Sequence, residues 1–236
     1  MHSPTNPTGP SLSHIAPSLS TGYQDLSLSE RKNLWRSFIR NTRRSYSELE
    51  RSHMNDQLAN LLNELLIKLT PVNATNLKVA AFMPTAIEPG HGRLIETLTT
   101  GSWISEQQNI EVFLPITLPA GVLRWAPYRG EDFLTSGPMG IAEPRCEESE
   151  PLSSALLAKM DFIIVPALAT NSQGRRLGQG GGYYDRALSY LPNPGPTLIT
   201  LLFPGEVHPD IPVEAHDQKT DYVITPEGTF RPGPNV

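Results

Sequence analysis

The chain has 236 residues and a formal net charge of −5, with 38% hydrophobic and 18% charged residues. That length suits one sizeable α/β domain or two small ones, and the negative balance argues against a general nucleic-acid binder, which carries a basic surface. No apolar run reaches the roughly 18 residues of a membrane span. The single cysteine, Cys146, excludes an internal disulfide and a thiolate zinc cluster; its Glu-Pro-Arg-Cys-Glu-Glu setting marks an ordinary free thiol in a reducing compartment.

Residues 1–26 are rich in Ser, Pro, Thr and Gly and show no hydrophobic period. Such a stretch cannot bury enough apolar surface to offset its ordering entropy, so a disordered tail is expected there. It has neither the basic-then-apolar pattern of a secretory signal nor the arginines of a transit peptide, and a cytoplasmic protein is expected. The rest, 27–236, reads as a single domain. Ser27 with Glu30 and Ser47 with Glu50 have capping-box spacing and predict two helix starts. The first helix runs to about Arg44, with Leu34 and Phe38 on its inner face. The second runs from Glu48 to Leu69, with Met54, Leu58, Leu61, Leu62, Leu65 and Leu66 as its apolar stripe.

After Pro71 the texture changes to short apolar runs: Leu77–Met83, Ile110–Ile116, Phe162–Leu168, Thr197–Phe203 and Tyr222–Thr225. Helical candidates alternate with them at Gly92–Thr99, Leu152–Lys159 and Gly182–Tyr190. The alternation predicts a three-layer α/β/α fold with a mostly parallel central sheet, preceded by the two N-terminal helices. In such sheets ligands bind beyond the carboxyl ends of the strands.

The most informative segment is Asp161–Leu191. A buried strand ends at Pro166, and a loop delivers Arg175 and Arg176. Gly178, Gly180, Gly181 and Gly182 then lead into a helix whose first turn holds Tyr183, Tyr184 and Asp185. Glycines admit close backbone approach, and their N–H groups before a helix N-terminus form an anion cradle. Arg176 adds a fork for phosphate oxygens, and Asp185 adds an oxygen ligand of the kind magnesium takes. Neither common nucleotide signature fits, because Gly180-Gly181 stand where the Walker pattern needs Lys-Ser/Thr and Tyr183 stands where the dinucleotide fingerprint needs Gly. The residues therefore predict a phosphate cradle of another kind.

The run Arg176-Leu177-Gly178-Gln179-Gly180-Gly181-Gly182-Tyr183-Tyr184-Asp185 resembles the signature of the 5-formyltetrahydrofolate cyclo-ligase family, with Val165-Pro166 and Gly174 matching its lead-in. The resemblance implies ATP-dependent cyclisation of 5-formyltetrahydrofolate to 5,10-methenyltetrahydrofolate, with magnesium and ATP as cofactor and co-substrate and a monomer as the expected state. By resemblance, Arg176 through Tyr184 contact ATP; Gln179, Gly180, Gly181, Gly182 and Tyr183 also contact the folate; and Arg176 and Tyr183 are the catalytic candidates. Asp185 is an expected metal ligand.

Further matches extend the resemblance over about Glu30 to Thr225. Lys32, Arg36, Arg40 and Arg43 share one helix face; the family's opening helix makes Lys32 and Arg36 ATP contacts and leaves Arg40 and Arg43 as surface charge. Met83 and Glu88, beyond the first strand, become folate-site candidates. Gly140-Ile141-Ala142-Glu143-Pro144 resembles another landmark, for which a structural role is expected. Asp217 is implied as the second metal ligand, whereas neighbouring His216 is a poor choice for an ion that prefers oxygen. Ala169-Thr170 replace the family's usual Phe-Asp, a departure expected to reshape the wall of the folate pocket. The rival readings are a folate or nucleotide binder without catalysis, a sugar-phosphate isomerase or kinase with a similar cradle, and, last, a purely structural role. An isomerase would not need ATP.

Overall fold

The computed structural model describes residues 16–145, 151–214 and 217–233; Cys146, His216 and residues 1–15 lie outside them. The elements in chain order are α1 (Leu28–Ser45), α2 (Glu48–Leu69), β1 (Asn76–Ala80), α3 (Leu94–Thr100), β2 (Asn109–Leu118), β3 (Val122–Pro127), β4 (Leu134–Ser136), β5 (Ala142–Pro144) and β6 (Leu152–Ser153). They continue with β7 (Phe162–Ile164), β8 (Ala169–Thr170), β9 (Arg176–Leu177), α4 (Tyr183–Leu188), β10 (Thr197–Leu201), β11 (Tyr222–Thr225) and β12 (Gly228–Phe230). Among the described residues no helix is long and apolar enough to cross a membrane.

Both N-terminal helices begin at the predicted capping boxes. The Ser27 and Ser47 hydroxyls accept from the Glu30 and Glu50 amides, and each glutamate accepts in return from its cap residue. The inner face of α1 differs from the expectation. Leu34 is exposed and Phe38 only half-buried, while Lys32, Trp35, Ile39 and Arg43 point inward. Counting apolar residues alone missed a face that carries two cations. Residues 16–26 also depart from the disorder expected of them. They form two short 3-10 turns, bury Ala16 and Tyr23, and let the Tyr23 hydroxyl accept from Trp35 Nε1 at 2.9 Å.

Eight strands form one sheet in the order β12-β11-β10-β7-β1-β2-β3-β6. The five from β11 to β2 are parallel, and antiparallel strands close both edges. Side chains alternate between the two faces. Val79, Phe162, Ile164 and Ile199 pack under α2 and α3, whereas Ala80, Ile163, Leu198 and Trp125 pack under α4 and a 3-10 turn at Ser154–Lys159. Strands buried on both faces read as continuous apolar runs, which is why the parallel strands were visible in the sequence.

Three strands are shorter than their apolar runs. β1 stops at Ala80, β7 at Ile164 before Pro166, and β10 at Leu201 before Pro204, since proline has no N–H for the ladder. The helix expected at Leu152–Lys159 is a two-residue strand followed by that 3-10 turn. In the Gly140–Pro144 landmark, Glu143 Oε1 accepts from the Thr117 amide at 3.1 Å, tying the β4–β5 hairpin to β2. That is the structural role anticipated for it.

Candidate active site

The carboxyl ends of β1, β7 and β10 lie side by side at the centre of the sheet, and the loops that leave them build the candidate site. After β1 the chain turns through Pro84–Arg93 and presents Glu88. After β7 it forms the small β8–β9 hairpin, and β9 delivers Arg176 and Leu177 directly into the glycine loop. Gly180 (φ +107°) and Gly182 (φ +66°) take conformations that a side chain would strain, and Gly182 starts α4.

Arginines from α1 hold the carbonyl side of this loop. Arg36 Nε donates to Gly178 O at 3.0 Å. Arg40 donates twice to Gln179, from Nη2 to the backbone O at 2.9 Å and from Nε to Oε1 at 3.0 Å. Gln179 Nε2 then reaches Glu88 Oε1 at 3.2 Å, while Glu88 Oε2 accepts from Thr85 N and Thr85 Oγ1 at 2.9 Å each. The loop and the β1 segment thus meet through one amide.

Beneath the loop lies a buried charge cluster. Lys32 is 7% exposed, and its Nζ donates to Asp217 Oδ2 at 2.8 Å and to Glu214 Oε2 at 2.7 Å. Two carboxylates offset the cost of burying that ammonium. Asp217 Oδ2 also accepts from Glu214 N at 2.6 Å. Arg176 is 3% exposed, with Nη1 on Pro166 O at 3.2 Å and Nη2 on Asp185 Oδ1 at 3.0 Å, and its buried Nε has no partner among the described residues. Burial pulls the Arg176 pKa below the usual arginine range, and the charges of Asp185, Tyr184 and Asp217 pull it back. Arg36 is lowered by burial and then by Arg40, with Asp217, Asp185 and Glu214 opposing. Asp185 and Asp217 therefore act on the same two guanidinium groups. Neighbouring Tyr184 has a buried hydroxyl without a partner among the described residues; burial foremost, with Glu88 adding to it, pushes its pKa up.

The structure brings together Lys32, Arg36, Glu88, Arg176, Gly178 to Asp185, and Asp217. Leu177 sits differently, with its side chain packed against Trp35 and Ile39 and its carbonyl accepting from Leu168 N. It anchors the loop, so any nucleotide contact falls to its backbone. Met83 is half-buried against the α2 side of the core. Ala169 and Thr170 are fully buried in the β8–β9 hairpin, where Ala169 packs with Trp35 against α1.

Two arginines expected to be surface charge have other places. Arg40 holds Gln179. Arg43 is 1% exposed and binds Glu206 through Nε–Oε1 at 2.7 Å and Nη2–Oε2 at 2.8 Å. Their four-and-three spacing with Arg36 was the available signal. Glu206 and Glu214 carried none, because each acts through a partner remote in sequence.

The sequence model of the 5-formyltetrahydrofolate cyclo-ligase family matches residues 28–226. The 5-formyltetrahydrofolate cyclo-ligase of Mycolicibacterium smegmatis is 30% identical over 201 residues, spanning 83% of this chain and 94% of that protein. The Escherichia coli cyclo-ligase is 28% identical over 190 residues, spanning 80% and 96%. The solved structure of Aquifex aeolicus 5,10-methenyltetrahydrofolate synthetase matches at a TM-score of 0.66 and 25% identity, covering 87% of this chain and 95% of that one. The synthetase of Mycoplasma pneumoniae shares the fold at a TM-score of 0.60 and 21% identity, covering 83% and 99%. With the glycine loop, the buried cations and the five parallel strands in place, the chain belongs to the 5-formyltetrahydrofolate cyclo-ligase family.

Proposed function

We propose that this chain carries out its family's reaction, the ATP-dependent closure of 5-formyltetrahydrofolate to 5,10-methenyltetrahydrofolate, at the glycine loop and the Glu88 segment. The observation that carries this reading is the glycine loop held by Arg36 at Gly178 O and by buried Arg176 on Asp185, with Lys32 nearby on Asp217 and with Glu88 facing the loop through Gln179. Three cations and a run of glycine amides suit a triphosphate. A carboxylate already oriented by Thr85 suits the N–H donors of a pterin.

In the reaction, the formyl oxygen attacks the γ-phosphorus of ATP and ADP leaves. The N10 nitrogen then attacks the activated carbon to close the five-membered ring, and the N10 proton and phosphate depart together. Little of this requires covalent help from side chains; positioning and charge neutralisation dominate. Arg176, held by Pro166 O and Asp185, brings its guanidinium charge to the base of the loop, where negative charge develops. Lys32 and Arg36 neutralise the phosphates, and Tyr183 orients the pterin.

Magnesium fits the residues present. Asp185 and Asp217 are oxygen donors of the kind magnesium takes; the Asp185 side chain is 32% exposed, and Asp217 is 6% exposed and bonded to Lys32. Among the described residues no cluster of three or more His, Cys, Asp or Glu offers a complete metal cage. Magnesium needs none, since it keeps waters and phosphate oxygens as ligands. Held by Asp185 and Asp217, it would supply positive charge against the phosphates.

The test is the near-ultraviolet absorbance of methenyltetrahydrofolate on mixing protein, 5-formyltetrahydrofolate and Mg-ATP. A band that grows only with ATP, and is lost in Asp185→Ala, supports reaction and site together. A band that persists in that variant rejects the assignment of Asp185. No band from protein that still binds ATP or folate rejects the reaction.

A further inference from the structure

The side of the glycine loop away from α1 is held by a residue that the signature does not include. Arg186, in the first turn of α4, turns back and donates from Nη2 to Gly181 O at 2.6 Å and from Nε to Gly121 O at 3.0 Å. Gly121 belongs to the β2–β3 turn, 65 residues away in sequence. The guanidinium also lies over the Tyr183 ring, 5.7 Å from its centroid. That ring in turn abuts Gly181, where an added Cβ would stand 2.9 Å from Tyr183 Cδ2.

The turn is shaped for this contact. Ala120 (φ +60°) and Gly121 (φ +74°) both take left-handed conformations, which direct the Gly121 carbonyl at Arg186. A Cβ on Gly121 would lie 1.7 Å from Arg186 Nη2 and 2.6 Å from its Cζ, so any side chain there expels the guanidinium. Pro119 and Ala120 are exposed, whereas Gly121 is buried beside the guanidinium. β2 and β3 are already paired over six residue pairs.

We propose that Arg186 is a positioning residue for the reaction, and that the β2–β3 turn at Pro119–Gly121 is a working part of the active site. Arg36 and Arg40 fix the Gly178–Gln179 half of the loop from α1. Arg186 fixes the Gly181–Tyr183 half from the hairpin, setting both the direction of the Gly181 peptide and the tilt of the Tyr183 ring. Without it the ring that orients the pterin loses its support on one face. A displacement of about an ångström in such a group costs roughly 100-fold in rate. This rests on the assignment of Tyr183 to the folate.

The experiment measures cyclo-ligase kinetics for Arg186→Ala, Arg186→Lys, Gly121→Ala, the Arg186→Ala/Gly121→Ala pair and, as a control, Tyr183→Ala. Arg186→Ala is expected to lower kcat/KM for the folate by about tenfold or more, with a smaller change in KM for ATP. Its thermal midpoint should move by less than about 4 °C, because the side chain lies at the surface. Arg186→Lys should be intermediate, since an ammonium reaches one carbonyl but not both. Gly121→Ala should reproduce the loss in the native background and add nothing to the loss when Arg186 is already gone. Kinetics of Arg186→Ala within about twofold of native, or additive losses in the pair, would overturn the proposal. If Tyr183→Ala is itself without effect, the folate assignment has failed; if Tyr183→Ala is impaired and Arg186→Ala is not, only the role of Arg186 has.

Discussion

Gln179 Nε2 lies 3.2 Å from Glu88 Oε1 and spans 91 residues of sequence to do so. The amide can point its nitrogen at Glu88 only because Arg40 Nε donates to its oxygen on the other side. Arg40 thus governs, through one amide, the carboxylate assigned to the pterin. Replacing Arg40 with alanine should raise KM for the folate by roughly fivefold, as expected for loss of about 1 kcal/mol from one hydrogen bond, with kcat little changed. Initial rates over a folate series at saturating ATP would show it; a fall in kcat at constant KM would contradict the relay.

Asp185→Asn should lower kcat by roughly 100-fold, the scale of removing one preorganised electrostatic partner. An amide can still accept from Arg176, so the fold of the loop should survive. The magnesium concentration giving half-maximal rate should rise as well, because the site loses an anionic oxygen. A magnesium titration of the variant checks both. An unchanged half-saturating concentration would remove Asp185 from the metal site.

The Arg43–Glu206 pair clamps α1 to the ends of the sheet. Besides its bonds to Glu206, Arg43 Nη2 donates to Ala167 O at 2.9 Å, and Glu206 Oε2 accepts from Phe203 N at 2.8 Å. Arg43→Met should cost about 3–5 kcal/mol, because it strands a buried carboxylate. The Arg43→Met/Glu206→Leu pair should recover part of that cost. Urea midpoints of the two variants measure the difference.

Tyr46 follows α1 and packs its ring edge-on to Phe203 at 5.9 Å. Burial, aided by Glu206 and Glu50, raises its pKa from 10.0 to about 12. Its folded-state pKa lies above the unfolded one, so its contribution to stability is fully present below 10.0 and is lost as pH rises through about 12. Stability of the native chain should fall across that window, and Tyr46→Phe should flatten the fall. Denaturant melts at graded alkaline pH would show it.

Much of this was legible beforehand, for reasons that differ by element. The capping boxes at Ser27 and Ser47 are local, so α1 and α2 started where the sequence placed them. The parallel strands are buried on both faces and so stood out as apolar runs. β3 did not, because an antiparallel strand such as Val122-Leu123-Arg124-Trp125 alternates and offers little bulk signal. The glycine loop was legible as chemistry since its spacing is itself the constraint. The clamps were not: Arg40, Arg43 and Arg186 look like ordinary helical cations until the chain brings Gln179, Glu206 and Gly121 to them.

Tyr23 and Ala16 brace α1 from outside the 28–226 stretch that the family pattern covers. The consequence is one for anyone rebuilding the chain. An insertion or fused tag between Gly22 and Ser27 would shift the Tyr23–Trp35 contact and be felt, one helix face away, at Lys32 and Arg36. The same insertion at the exposed turn of Ser105–Gln107, on the amino-terminal side of the parallel strands, would leave the glycine loop untouched.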